Sequence, residues 1–225
     1  MLGMSRNPPP LNDDEPRDER RSTRKRSAIL EAATRVFLAK GYLGSSMDEI
    51  AATAAVSKQT VYKHFADKER LFAEIVNGTV NEASDVVYRQ VLELLELNER
   101  DDLESSLREL ARRQLALVMQ PRLLRLRRLV IGEATRFPEL GRRFYERGPQ
   151  RTITAVAAAF ERMAERGLLE LDDPLLAASH FNWLVMSIPL NQAMLCGDDE
   201  PSSPAELDRL ADAGTRAFIA AYGKR

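Results

Sequence analysis

A short run between Val56 and Ala66 carries side chains that can contact a nucleic acid. Lysine and glutamine can read base edges, threonine can meet a thymine methyl group, and tyrosine, lysine and histidine can hold phosphates. The apolar Val61 and Phe65, with Val56, are predicted to face a small core on the other side. The exposed face of this predicted helix then presents hydrogen-bond donors and cations: Lys58, Gln59, Thr60, Tyr62, Lys63 and His64.

Two preceding helices are predicted to position this run. Apolar residues at helical spacing follow Arg24 and stop at Gly41, which is placed to end the first helix. Ser46 and Glu49 have the spacing of a capping box, in which the serine accepts a backbone N–H and the glutamate reaches back. Ser57 is a second N-cap, directly before the run. Three short helices joined by tight turns are what a helix-turn-helix requires.

Positive charge is concentrated near the start of the chain. The totals, 33 Lys plus Arg against 34 Asp plus Glu, give no indication of a nucleic-acid partner. A basic cluster, however, precedes the predicted motif, and it consists of Arg20, Arg21, Arg24, Lys25 and Arg26. This arm either enters a minor groove or is a solvated run of charges, and the sequence leaves both open.

The remaining sequence predicts an all-α protein of about nine to ten helices, because no stretch alternates with a period of two. A long helix is predicted from Asp67 to about Leu97, with later breaks at Gln120–Pro121, Phe137–Pro138 and Gly148–Pro149, and at 167–174 and 197–204. Residues 1–20, rich in proline and charge, are predicted to be disordered. The predicted domains are 21–75 and 76–225.

Several classes of protein find little support in the composition. No apolar run approaches the roughly 18 residues that a membrane span needs, and the first residues lack the apolar segment of a secretory signal. One cysteine, Cys196, fits a reducing cytoplasm, where we expect the protein to act. Two distant histidines and one cysteine suggest neither catalysis nor a metal site, so no cofactor is expected.

The segment GYLGSSMDEIAATAAVSKQTVYKHFADKERLF, Gly41 to Phe72, resembles the DNA-binding domain of the TetR family of bacterial regulators. The resemblance implies that Lys58, Gln59 and Thr60 lie nearest the bases. It places on the DNA backbone the residues Ser46, Tyr62, His64 and Lys68, and Ser57 and Lys63 complete the predicted contacts. One departure is Ala55, where the family often has glycine; a positive φ there costs an alanine about 1 kcal/mol.

A second segment, RLVIGEATRFPELGRRFYERGP at Arg128 to Pro149, resembles the C-terminal effector domain of a subset of TetR proteins, the AefR-like and AcrR-type domains. This resemblance implies a helical pocket for a small molecule. It also implies a homodimer interface built mainly by the helices near 150–166 and 174–195. The second of these is apolar nearly all round, and Pro189 is expected to kink it.

Four candidate pocket residues lie on the second of these helices, and two precede both helices. Arg127 falls on an apolar stripe, where a charge is costly unless it is paired. It either binds an anionic effector, forms an internal salt bridge, or extends its guanidinium into water. The other candidates are Phe144, His180, Asn182, Trp183 and Met186, each of which is alternatively a core or dimer contact.

The sequence thus leads to a ligand-responsive repressor that binds a palindromic DNA operator as a homodimer. Effector binding would favour a dimer whose recognition helices no longer fit two successive major grooves. An activator, or a regulator without an effector, is equally compatible with the residues. The alternative of another class is a helical carrier or scaffold that keeps the fold but does not bind DNA.

Overall fold

The computed structural model describes residues 17–95, 103–197 and 202–224. Within these ranges the regular elements are ten α-helices and one π-helical turn, Glu146–Gln150. The α-helices are α1 (Arg17–Lys40), α2 (Met47–Thr53), α3 (Lys58–His64), α4 (Lys68–Leu95), α5 (Leu103–Val118), α6 (Pro121–Glu133), α7 (Pro138–Tyr145), α8 (Arg151–Glu165), α9 (Pro174–Cys196) and α10 (Pro204–Tyr222). The all-α prediction is confirmed.

A small core lies under α1, α2 and α3. Ile29, Ile50, Val61 and Phe72 are fully buried in it, and Phe65 is 3% exposed. Each residue comes from a different element or junction, so the short α2 and α3 are stabilised chiefly by burial rather than by their own helical propensity. The core predicted beneath the exposed run is present.

A larger core joins α5, α8, α9, α10 and the second half of α4. Three aromatic rings meet at its centre: Phe160 and Phe218 are 4.8 Å apart between centroids, and Phe181 lies 5.2 Å from Phe218 in an edge-on arrangement. Gly214 of α10 permits the close approach of α9, because a Cβ there would lie 2.8 Å from the carbonyl oxygen of Leu184. The bundle is therefore tightly packed at this crossing.

The two cores share helices. The first half of α4 contributes Val76 and Val80 to the small core, while Val87 and Val91 further along belong to the larger one. Leu126, Val130 and Leu140 from α6 and α7 also pack into the small core. The predicted division at residue 75 therefore does not separate two independent cores.

Two boundaries differ from those predicted. Helix α1 begins at Arg17, so residues 17–20 of the predicted disordered tail are helical, whereas residues 1–16 of that tail lie outside the described residues. Arginine and glutamate are good helix formers, and acidic residues suit a helix N-terminus. The predicted break at Gly148–Pro149 is absent: the Arg151 N–H donates to the carbonyl oxygen of Glu146, so a π-helical turn joins α7 to α8 and accommodates the proline.

The expected kink at Pro189 stays a prediction. Helix α9 runs from Pro174 to Cys196, and Pro189 is buried within it. The predicted end of α4 near Leu97 lies outside the described residues, and the helix is described up to Leu95.

Candidate functional site

Helix α3 projects from the small core with its polar side outwards. Val61 is buried, and the side chain of Ser57 caps the helix by accepting the Thr60 N–H at 3.1 Å. The Ser57 and Thr60 hydroxyl groups are also hydrogen bonded, at 2.8 Å. The outward residues are Lys58, Gln59, Tyr62 and Lys63, all exposed, with Thr60 and His64 half-buried. This surface is called the α3 face below.

Lys58 of the α3 face pairs with Asp48 of α2. The ammonium lies 2.8 Å from one carboxylate oxygen, and both side chains are more than half exposed. The hydrogen bond and the charge of Asp48 raise the pKa of Lys58. An ion pair so exposed contributes little to stability, so Lys58 can exchange Asp48 for another anion at small cost.

His64 lies at the end of α3 in a positive environment. Burial lowers its pKa, and the charges of Lys63, Arg26 and Lys25 lower it further. Arg26 is itself held by Glu74, and its guanidinium lies 5.3 Å from the centre of the Phe65 ring. Part of the basic arm is thus anchored to the small core, and it adds positive potential beside the α3 face.

Ser46 caps α2 as predicted, accepting the Glu49 N–H at 3.1 Å. The reciprocal half of the predicted capping box is wrong, because the carboxylate of Glu49 pairs with Lys40 at 2.5 Å. A cation at the end of α1 is a stronger partner for this carboxylate than a backbone N–H. The pair ties α1 to α2.

The predicted contact of Lys68 with the DNA backbone stays a prediction, and the structure shows a further role for this side chain. Its ammonium donates to the carbonyl oxygens of Tyr42 and Ser45, both at 2.8 Å, and lies 4.4 Å from the centre of the Tyr42 ring. Two of its three protons are therefore bonded to the turn between α1 and α2. Lys68 closes that turn from the start of α4.

The predicted positive φ at Ala55 is confirmed. Its φ is 53°, and it is the one non-glycine residue with positive φ among those described. The Val56 N–H nevertheless reaches the Ala51 carbonyl oxygen at 3.0 Å, so the turn between α2 and α3 closes normally. The strain lies in the alanine backbone alone.

A pocket opens between the two cores. Its empty space is about 690 Å³, a figure that includes open solvent at its mouth. Most of its walls are apolar, and α4 and α6 each contribute several wall residues. Five of the six predicted ligand-binding residues line it: Arg127, Phe144, Asn182, Trp183 and Met186.

His180, the sixth, does not line this pocket. It is exposed, and its Nδ1 is hydrogen bonded to the Tyr222 hydroxyl at 2.6 Å. Asn182 and Trp183 on the same helix line the pocket, and the helical turn between positions places His180 beside α10 instead. The prediction that it orients a polar effector group is wrong for this pocket.

Arg127 is held over the ring of Phe144, with 5.3 Å between the guanidinium carbon and the ring centre. Burial lowers the pKa of Arg127, and no charged residue offsets that effect. Within the described parts of the chain, no ion pair is formed by Arg127. The internal salt bridge that was the alternative interpretation is therefore not formed there.

Three polar wall residues were not predicted. Gln114 of α5 is 3% exposed, and its amide nitrogen donates to the Asn182 Oδ1 at 3.3 Å. Ser84 donates to the Arg147 carbonyl oxygen at 2.5 Å, and Thr152 is also buried at the wall. Gln114 interrupts the buried apolar side of α5, and this interruption was the signal in the sequence.

The described residues contain no group of three or more His, Cys, Asp or Glu side chains that could hold a metal ion. None of the helices in the described ranges is long and apolar enough to cross a membrane.

A capped helix-turn-helix with an exposed polar α3 face, beside a helical bundle with an apolar pocket, defines the class of one-component helix-turn-helix regulators. The family model for bacterial regulatory proteins of the TetR family matches residues 29–75, and that for the C-terminal domain of AefR-like transcriptional repressors matches residues 105–224. The chain belongs to the TetR family of transcriptional regulators.

Solved structures of relatives are similar over nearly the whole chain. A TetR-family regulator from Mesorhizobium loti MAFF303099 is 46% identical, with a TM-score of 0.83, covering 90% of this chain and 98% of that one. The flavonoid-responsive regulator FrrA is 32% identical, with a TM-score of 0.69, covering 90% of this chain and 99% of that one.

A shorter sequence match covers the helix-turn-helix region. The transcriptional activator FasR of Mycolicibacterium smegmatis is 42% identical over 66 residues, which are 29% of this chain and 28% of FasR.

Proposed function

We propose that the protein is a ligand-responsive transcriptional repressor that binds a palindromic operator as a homodimer. The observation that carries this proposal is the position of the pocket. Val80, Ala83, Ser84 and Val87 of α4 line it, and α4 begins immediately after the helix-turn-helix. A ligand in the pocket therefore contacts the helix that supports the α3 face.

Helix α6 provides a second connection. Leu123 and Arg127 line the pocket, while Leu126 and Val130 of the same helix pack into the small core. A ligand that displaces α6 must move the small core, since packed interiors shift as units rather than deform gradually. Release of DNA then requires that the ligand bind more tightly to the arrangement that does not fit the operator.

The dimer is proposed from the surface of α9. Helix α8, one of the two helices predicted to form the interface, buries its apolar stripe inside its own chain, including Ile153, Phe160 and Met163. Helix α9 instead leaves large apolar side chains exposed: Leu176, Trp183, Leu184, Ile188 and Leu195. Helix α10 packs beside α9 and exposes the small Ala213 and Ala217. We place the interface on α9 and α10, because apolar surface of this kind favours burial in a partner.

Regulation in the opposite direction is a second candidate, because FasR, a relative in the helix-turn-helix region, is a transcriptional activator. A reporter gene under the upstream promoter distinguishes the two. Deletion of the regulator raises expression if it represses and lowers expression if it activates.

The test of the proposed function is fluorescence anisotropy of the full chain with the DNA upstream of its own gene, with unrelated DNA as competitor. Binding that resists the competitor, and a logarithmic affinity that falls with the logarithm of salt concentration at a slope of several units, support the proposal. Lys63→Ala in the α3 face should lower that slope by about one per protomer, and so by about two for the proposed dimer, while the exposed Arg166→Ala at the end of α8 should leave it unchanged.

Binding equal to that of unrelated DNA, at this site and at other promoters, contradicts the proposal. That result would favour the alternative of a helical carrier or scaffold that keeps the fold but does not bind DNA. That alternative also predicts that Lys63→Ala and Tyr62→Phe change no measurable interaction of the protein.

A further inference from the structure

Among the residues that the structure describes, the pocket between the cores has one charged wall residue, Arg127, and no carboxylate pairs with it. Arg127 lines the pocket beside apolar Leu123, Val80 and Leu190. Arg127 is partly buried, and a cation withdrawn from water is normally paired, because its desolvation is otherwise uncompensated. Among the described residues Arg127 has only the face of the Phe144 ring, at 5.3 Å, which compensates part of the loss.

Neighbouring arginines show the contrast. Arg128, the next residue of α6, donates to the Ala193 carbonyl oxygen at 2.7 Å. Arg112 of α5 holds Asp212 through two hydrogen bonds, at 2.8 and 2.7 Å. The bundle thus satisfies arginines elsewhere with oxygen acceptors. Arg127 keeps its planar set of donors available at the pocket, and this geometry suits a carboxylate.

The rest of the wall limits what else the occupant can carry. Val87, Leu117 and Val118 form an apolar surface, and the ring of Phe144 adds an aromatic one. The amide pair of Gln114 and Asn182 is the main neutral polar feature, and its members are already bonded to each other. A compact apolar body with a single charged end therefore fits better than a polar or multiply charged molecule.

From this arrangement we infer that the pocket takes an organic monoanion, a small apolar carboxylic acid whose carboxylate pairs with Arg127. The inference rests on the proposed function, since it names the class of effector for the same pocket. Binding of this class supplies the missing counter-charge, and the apolar body displaces water from the walls. The contact also lies on α6, which joins the pocket to the small core.

Trp183 allows a test that needs no DNA. It is the only tryptophan of the chain, and it lines the pocket. Its fluorescence in the full-length protein is titrated with two acids and their neutral amides: 4-phenylbutyrate with 4-phenylbutanamide, and decanoate with decanamide. We expect at least one acid to bind about tenfold or more tightly than its amide, as is usual for a hydrogen bond to a charged partner.

Arg127→Gln should abolish this preference, bringing the Kd of the acid to that of the amide. Arg122→Gln, an exposed arginine on the same helix, should leave the preference unchanged. The melting temperature without ligand should be equal or higher in Arg127→Met, since an unpaired and partly buried charge is removed. This second variant shows that the fold is intact.

The inference is overturned if neither acid is preferred over its amide, or if the preference survives in Arg127→Gln. Its failure is distinct from failure of the proposed function. Operator DNA that is released only by uncharged molecules contradicts the inference alone. Acid binding that depends on Arg127, in a protein that binds no operator, contradicts the proposed function alone.

Discussion

The ammonium of Lys68 lies 4.4 Å from the centre of the Tyr42 ring and donates to that residue's carbonyl oxygen at 2.8 Å. The same ammonium bonds the Ser45 carbonyl oxygen. One side chain at the start of α4 thus fixes the turn from which α2 departs. This arrangement makes Lys68 a structural residue of the helix-turn-helix.

Lys68→Met should therefore lower the free energy of unfolding without changing the number of phosphate contacts in the DNA complex. Loss of both hydrogen bonds leaves backbone carbonyl oxygens without this partner, which costs about 1–3 kcal/mol in the free energy of unfolding. Urea denaturation measures the loss. The salt slope of DNA binding should stay as in the unmodified protein.

Lys63→Met is the matched control, because Lys63 is exposed and no contact fixes it within the described structure. It should change the salt slope by about one per protomer, about two for the proposed dimer, and leave the urea midpoint nearly unchanged. If Lys68→Met instead lowers the slope at unchanged stability, Lys68 contacts phosphate and the structural assignment is wrong.

Ala55→Gly should stabilise the protein. The alanine has a φ of 53°, and glycine adopts this conformation without the steric penalty, so a gain of up to about 1 kcal/mol is expected. Thermal unfolding followed by circular dichroism measures it. Ala52→Gly, an exposed position inside α2, should have the opposite effect, because glycine weakens a regular helix by about 1 kcal/mol. A loss of stability in both variants would show that Ala55 is not strained.

Asp212→Asn should weaken the contact between α5 and α10 in a pH-dependent way. The hydrogen bonds from Arg112 lower the pKa of Asp212, so its ionised form is favoured in the folded protein. A carboxyl group with a lowered pKa stabilises the fold above its unfolded pKa, near 3.8, and that contribution disappears as pH falls through its folded pKa. The pair is partly exposed, so the cost of the variant at neutral pH is about 1 kcal/mol or less.

The measurement is the urea midpoint of both proteins between pH 7 and pH 3. The difference between them should be largest at neutral pH and should narrow below about pH 4. The exposed Asp172→Asn serves as control and should show no such narrowing. A difference that is constant with pH would mean that the charge of Asp212 does not stabilise the fold.

Ile188→Glu should dissociate the proposed dimer. Ile188 is 55% exposed on α9, so a carboxylate there is tolerated in the monomer but is costly in an apolar interface. Light scattering after size-exclusion chromatography measures the mass, and operator affinity should fall because one protomer contacts one half-site. Ile131→Glu, at an equally exposed isoleucine of α6, should remain dimeric. Retention of the dimer in Ile188→Glu would place the interface elsewhere.

The sequence was sufficient for the features that depend on local pattern. Ser46 and Ser57 cap the helices as predicted, and Ala55 has the positive φ that was expected because the TetR family often has glycine there. Features that depend on which distant groups meet were not predictable in the same way. The family resemblance implies a phosphate contact for Lys68, but the carbonyl oxygens it binds are set by the path of the chain between Tyr42 and Ser45.

The pocket shows the same limit. Asn182 and Trp183 were identified by the unusual apolarity of their helix, yet His180, two positions away, lies against Tyr222. Successive side chains of an α-helix point in directions about a quarter of a turn apart. Packing against α10 decides which of them face the pocket. The counterpart of Asn182 is Gln114, 68 residues earlier, and no local pattern joins the two.

The sharing of α4 between the two cores has a consequence for how the protein unfolds. Val76 and Val80 of α4 pack into the small core, and Val87 and Val91 pack into the larger one. Leu126 of α6 also packs into the small core. Neither core can be disrupted without exposing apolar surface of its neighbour. Calorimetry should therefore record a single cooperative transition, and a fragment that ends at residue 75 should melt well below the intact chain.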